Sequence, residues 1–203
     1  LAAMRAMREL VERDWAVVDP RVRQDFWDRK DMLSRLRHKE TEFAEAITRA
    51  LALEVSSVAE SRHADWGSSG FNFAIPGQVF ETRISVVNRS QLPVEVSAVR
   101  LAGLGQHGDA QLAMRLAYNE RCESRLAVTV PADAPPTRPA WRRASIRNSH
   151  YEILDPKQLG QPLPSPPLVA EVDLEVEGVP VTITRPVEGR VRDGEFGAAA
   201  YPL

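Results

Sequence analysis

Cysteine is nearly absent: the 203 residues contain one, Cys122. That excludes an intrachain disulfide and a cysteine-based zinc site, and leaves the compartment open. No apolar run approaches the roughly 20 residues that cross a bilayer, so no membrane span is expected. The formal net charge of −2 offers no clustered basic face, and nucleic acid is not an expected partner. There is no Gly-x-Ser-x-Gly elbow and no glycine loop followed by Lys and Ser/Thr to cradle phosphate. The apolar fraction of 43% and charged fraction of 27% fit a soluble globular chain with one sizeable domain or two small ones.

Glycine and proline are absent in a second, more informative way. Before residue 54 there is no glycine and only Pro20; the other fourteen prolines and every glycine come later. Helix interiors avoid both residues, while turns use both. The chain therefore divides into a helical segment, 1–54, and a β region, 55–203.

In the first segment, Met4, Met7, Leu10 or Val11, and Trp15 recur at helical spacing and predict a helix over 1–15. This opening is amphipathic and lacks the build of a signal peptide. Asp19-Pro20 is a good start for a second helix running to about Leu53, since Asp caps free N–H groups and Pro fits the first helical position. Val22, Phe26, Leu33, Leu36, Phe43, Ile47 and Leu51 form a near-heptad seam on it, through which oligomerisation is possible. Together these make a helical hairpin.

The β region alternates with period two. Phe80, Thr82, Ile84 and Val86 share one face, opposite Glu81, Arg83 and Ser85. Val94–Ala98, Leu126–Val130 and Leu168–Val176 alternate likewise, the last with Glu171, Asp173 and Glu175 expected to face water. Gly178 turns the chain into Val179–Ile183, a hairpin. Short strands, Gly/Pro turns and no intervening helix predict an antiparallel, immunoglobulin-like β-sandwich. Residues 131–167 interrupt the pattern with a long Pro-rich excursion, either packed on the sheets or facing a partner.

The residues that carry chemistry are few. His38, His63, His107 and His150 include no two at metal-ligand spacing, and no metal or catalytic residue is assigned. His63-Ala64-Asp65 is too sparse for a site. His38 and Glu42 read as a solvated helical pair. His107 lies in a Gly-rich turn. Cys122 has Arg121 and Arg125 nearby, which can lower a thiol pKa, although a buried, inert thiol is the commoner arrangement. The best binding candidates are Trp141, Arg142, Arg143 and Tyr151. Aromatic faces stack on sugar rings, and arginines fork onto carboxylates or phosphates. The plainer alternative is that Trp141 and Tyr151 anchor the excursion on the sheets.

The stretch from Pro131 to Asp193, with Pro135-Pro136-Thr137-Arg138-Pro139, an aromatic, and then Gly160-Gln161-Pro162-Leu163-Pro164 before a strand hairpin, resembles the sandwich region of long bacterial PIG-L (LmbE-like) deacetylases. Pro76–Val96 is similar to the opening strands of accessory sandwich domains, also seen beside some α-galactosidases. The segment LRHKETEFAEAITRALAL resembles the stretch that follows the catalytic domain. This resemblance implies a non-catalytic accessory region, structural or glycan-contacting, of a larger zinc-dependent N-acetyl-sugar deacetylase. The family's zinc phrase, His-Pro-Asp-Asp, has no counterpart: this chain holds neither His-Pro nor Asp-Asp. The resemblance therefore places zinc in a catalytic domain elsewhere in the same polypeptide, that domain being the implied partner along with glycan, and the parent outside the cell or in the periplasm. It implies that an α/β domain of roughly one to two hundred or more residues comes before Leu1, itself preceded by a secretion signal if the parent acts on extracellular glycans. A protein-protein interaction module using the amphipathic helices is the alternative.

Overall fold

The computed structural model describes residues 23–60, 70–71, 73–105, 108–139, 141–154, 164–193 and 197–202, together with Ala3, Ala6 and Glu9. The chain is mostly β, with an N-terminal helix and antiparallel sheets. One helix is described, α1 (Arg23–Ala50). The first predicted helix and the Asp19-Pro20 start lie outside the described residues, apart from Ala3, Ala6 and Glu9, whose backbone is helical.

The helix α1 stops at Ala50, short of the predicted Leu53. Ala52 takes a left-handed φ of 46°. The N–H of Leu53 then donates to the carbonyl of Thr48 at 2.9 Å, and that of Ala52 to Arg49 at 3.0 Å. This is a Schellman stop, with alanine where glycine is usual. It turns Leu53 into the core and starts a strand at the next residue. The packing face of α1 also differs slightly from the predicted seam. Leu36 and Thr48 are buried and Ala44, Ile47 and Leu51 are partly buried, whereas Phe43 stays 44% exposed. Thr48 tolerates burial because its hydroxyl donates back to the Ala44 carbonyl at 2.7 Å. Arg185 forks onto Glu45, the closer contact being 2.5 Å, and ties the helix to the sheets.

Among the described residues twelve strands follow: β1 (Glu54–Glu60), β2 (Gly70–Phe71), β3 (Val79–Val87), β4 (Val94–Gly103), β5 (Asp109–Leu116), β6 (Arg121–Thr129), β7 (Trp141–Arg142), β8 (Glu152–Ile153), β9 (Leu168–Val176), β10 (Val179–Pro186), β11 (Glu188–Asp193) and β12 (Gly197–Pro202). One sheet runs β12-β11-β1-β3-β6, with β2 also on β11. A second runs β10-β9-β4-β5, and β7-β8 form a separate two-stranded ribbon. All pairings are antiparallel except a single parallel contact of β1 with β11, Val58 opposite Glu188.

The two larger sheets pool their apolar side chains into one core. Phe80, Ile84 and Val86 of β3 join Val94, Val96, Val99 and Leu101 of β4 and Leu168, Ala170, Val172 and Leu174 of β9 in it. The predicted alternation on β3 is present in its first half: Phe80, Thr82, Ile84 and Val86 are buried and Glu81 and Arg83 are only partly covered, but Ser85, expected on the latter face, is buried too. On β9 the acidic face is less wet than expected. Asp173 and Glu171 are partly buried because Arg100 of β4 reaches across to both, and Thr182 donates to Asp173 at 2.8 Å. Asp173 foremost, then Glu171, raises the Arg100 pKa by stabilising its charge. The β9–β10 hairpin closes through Glu177 (φ 49°) and Gly178 (φ 78°), a pair with positive φ at both central positions, as a type I′ turn requires.

Two of the crossings between the larger sheets are β3 to β4 and β5 to β6. Asn88, fully buried, joins them. Its Nδ2 donates to the carbonyls of Leu92 (2.8 Å) and Leu116 (3.0 Å). Its Oδ1 accepts from the N–H and hydroxyl of Ser90, both at 2.9 Å. Its backbone N–H donates to Glu120, and its carbonyl accepts from Asn119. One side chain thus satisfies the polar groups of both connections.

Candidate ligand-contacting ribbon

The excursion predicted over 131–167 leaves β6 through a turn in which Ala134 N–H donates to Pro131 at 3.1 Å. Prolines then hold the chain extended, since they fix φ and lack a donor. The chain doubles back as the β7-β8 ribbon, where Trp141 pairs with Ile153 and Arg142 with Glu152. Period two puts Trp141, Arg143, Tyr151 and Ile153 on one face and Arg142 with Glu152 on the other.

The structure brings all four predicted residues together there. Trp141 and Tyr151 meet in a T-shaped pair, centroids 4.7 Å apart at 79°. The Arg143 guanidinium lies over the Tyr151 ring, 5.5 Å from its centroid. Arg142 Nε donates to Glu152 at 2.8 Å on the opposite face. Trp141 and Tyr151 are 48% and 54% exposed, and neither belongs to the core cluster or the apolar side chains packed on it. The two rings pack on each other, each about half exposed. Ile153, which extends the same face, escapes a sequence reading because a two-residue strand has too few positions to show alternation.

The remaining candidates scatter. Cys122 sits on the core-facing side of β6, and burial, the largest cause, raises its thiol pKa. Arg121 and Arg125 differ from it by odd steps along the strand, so they point to the other face. There Arg121 meets Glu123 at 3.3 Å and Arg125 meets Glu60 at 3.7 Å. The expectation that they could activate the thiol is thus corrected by strand geometry. His38 contacts Glu42 at 3.0 Å on the exposed side of α1, and Lys39 shares that carboxylate. The Lys39 hydrogen bond is the main cause lowering the Glu42 pKa. His150, in the β7–β8 loop, lies 2.8 Å from the Ser149 hydroxyl. His63, Asp65 and His107 lie outside the described residues. Among the described residues no group of three His, Cys, Asp or Glu side chains could hold a metal ion. No described helix is long and apolar enough to cross a membrane, which leaves β-barrel crossing unaddressed.

A cleft of about 440 Å³ opens beside the root of the excursion. Phe80 and Leu168 contribute to its lining, with Phe73, Pro76 and residues 134–137. Gly103 shapes this end of the fold: its φ is +110°, and a Cβ there would lie 2.1 Å from the Pro167 carbonyl oxygen. Thr137 supplies the one side-chain hydroxyl among the lining residues, so the cleft lacks the convergent polar groups of a catalytic pocket.

No protein-family model and no curated protein sequence matches the chain. Among solved structures it is similar to the sporulation control protein Spo0M of Bacillus subtilis, at 10% identity over 66% of this chain, with a TM-score of 0.30. The chain spans about half of that protein, 48%. It is similar to the putative ApaA protein of Bordetella pertussis, at 14% identity, 68% of this chain and 89% of that one, with a TM-score of 0.31. It is also similar to the alkylpurine DNA glycosylase AlkC of Pseudomonas fluorescens, at 11% identity, 87% of this chain and 42% of that one, with a TM-score of 0.26. Likenesses this faint assign neither a shared fold nor a function.

Proposed function

We propose that this chain is a non-catalytic accessory region, an immunoglobulin-like β-sandwich preceded by a helical hairpin, that contacts glycan through the β7-β8 ribbon. The parent would be a zinc-dependent, PIG-L-like deacetylase of N-acetyl sugars acting outside the cell or in the periplasm, with zinc and catalysis in another domain. The deacetylase part rests on the sequence resemblance of residues 131–193. The observation that carries the glycan part is the placement of Trp141 and Tyr151. Folding buries large aromatic side chains where it can. Two of them half exposed, on a ribbon that adds nothing to the core, favour a surface kept for a ligand.

Affinity electrophoresis of the intact chain in gels containing N-acetylated or uronic-acid polysaccharides tests this. Retardation that Trp141→Ala and Tyr151→Ala both abolish, with an unchanged melting temperature, is the expected result. Wild-type migration unaffected by every polysaccharide would sink the reading. A second reading, docking of a protein partner on α1, has one observation in its favour: Met32 and Phe43, three turns apart, are 49% and 44% exposed.

A further inference from the structure

We propose that the ribbon selects carboxylate-bearing glycans, such as uronic-acid polymers, over neutral ones; this rests on the glycan reading above. From Trp141 to Leu154 the chain carries three arginines, Arg142, Arg143 and Arg147, against one glutamate, Glu152. That is a surplus of two positive charges on a chain whose formal net charge is −2. Some exposed arginines elsewhere answer to carboxylates, Arg89 to Glu54, Arg121 to Glu123 and Arg125 to Glu60. Within the ribbon Glu152 is taken by Arg142 on the far face. Arg143 and Arg147 have no carboxylate partner among the described residues, and both are exposed.

Arg143 is the informative one. Its guanidinium is held over the Tyr151 ring, beside Trp141. The cation–π contact holds the guanidinium beside the ring and leaves it N–H donors, which match a carboxylate in a two-pronged contact. A sugar ring laid against the exposed aromatic pair would bring a carboxylate on that ring within reach of the fork. A neutral sugar would leave the positive charge unanswered. An acidic peptide would meet the charge without using the aromatic faces. The chemistry recognised is therefore a ring and an acid on one residue.

The test measures binding of the intact chain to oligogalacturonate, to a cello-oligosaccharide of equal length and to polyglutamate by titration calorimetry. Oligogalacturonate should bind at least about tenfold more tightly than the neutral oligomer, as expected for one charge-assisted contact. Arg143→Gln should remove that preference, and Arg143→Lys should restore only part of it, since lysine keeps the charge but lacks the fork. Trp141→Ala should weaken both sugars. Melting temperatures of all three variants should match the wild type, because the ribbon lies outside the core. Equal affinity for acidic and neutral oligomers, both lost in Trp141→Ala, would overturn the acid preference and leave the glycan reading standing. Polyglutamate binding as tightly as oligogalacturonate would overturn it too. No binding to either sugar would overturn both.

Discussion

Asn88 offers the sharpest test of how the two sheets are joined. In Asn88→Ala four side-chain hydrogen bonds vanish, two donated by Nδ2 and two accepted by Oδ1. The bond to Leu116 is buried, and leaving that carbonyl unsatisfied costs about 1–3 kcal/mol. The other three bonds are partly buried, and losing each costs roughly 0.5–1 kcal/mol. The sum is about 2.5–6 kcal/mol, a large share of the roughly 5–15 kcal/mol by which folded domains are usually stable. At about 2–4 °C per kcal/mol for a chain of this size, the melting temperature should fall by roughly 5–24 °C. Asn88→Asp sharpens the test because it keeps the volume and one acceptor but points a carboxylate at two carbonyls. Burial and those carbonyls favour the neutral acid, so its folded pKa lies above the unfolded value of about 3.9. The neutral acid is favoured below the unfolded pKa, and stability is lost as pH rises through the folded one. Urea unfolding of both variants between pH 3.5 and 7.5 reads this directly. An Asn88→Ala midpoint within experimental error of wild type, or an Asn88→Asp variant that gains stability with rising pH relative to wild type, would refute the idea that this side chain pins the crossovers.

The hydroxyls of Thr82 and Ser57 are buried without partners, so Thr82→Val should raise stability by about 1 kcal/mol in chemical denaturation, and a loss would mean a hidden partner. Ala52→Gly should stabilise by roughly 0.5–1 kcal/mol by relieving the left-handed alanine at the end of α1, read as a higher melting temperature. Leu36→Asp should cost several kcal/mol, about a core truncation plus an unpaired charge, and an unchanged melting curve would show that this face of α1 is free. Cys122 should react with a disulfide reagent far more slowly in the native chain than in urea, because its thiol is buried and its pKa raised; equal rates would contradict that burial.

The strands legible in the sequence are those whose two faces differ in chemistry. On β3 and β9 apolar residues alternate with charged ones and the apolar set is buried as that pattern requires, although Ser85, Glu171 and Asp173 on the opposite faces are covered more than the pattern implies. Strand β1 is not legible in the sequence because Glu54-Val55-Ser56-Ser57-Val58-Ala59-Glu60 does not alternate; its burial runs through three successive residues, Ser57 to Ala59. Strand β5 was missed for the opposite reason. It is an edge strand, mostly exposed or partly covered, with small and polar residues mixed in, and only Leu116 is fully buried. In β4 a register shift between Val96 and Ala98 breaks the period, so both Ala98 and Val99 turn inward. Helix α1 ends three residues before the predicted Leu53 because its stop signal is conformational, an alanine in a glycine's geometry.

The ribbon was legible in composition but not in shape. Trp141, Arg142, Arg143 and Tyr151 stand out by residue type, yet nothing in their order says that Arg142 should part from Arg143. A two-stranded ribbon makes that division, because adjacent residues on a strand face opposite ways. Arg142 is thereby spent on Glu152 across the pair, which helps hold the ribbon closed, while Arg143 shares a face with both aromatic rings. Two neighbouring arginines with the same chemistry thus have different work, one structural and one facing solvent beside exposed rings. Removing Arg142 should loosen the ribbon and disturb the aromatic pair indirectly, whereas removing Arg143 should leave the pair in place and change only what it can bind. Indole and phenol fluorescence, read with and without ligand in each variant, would separate the two roles.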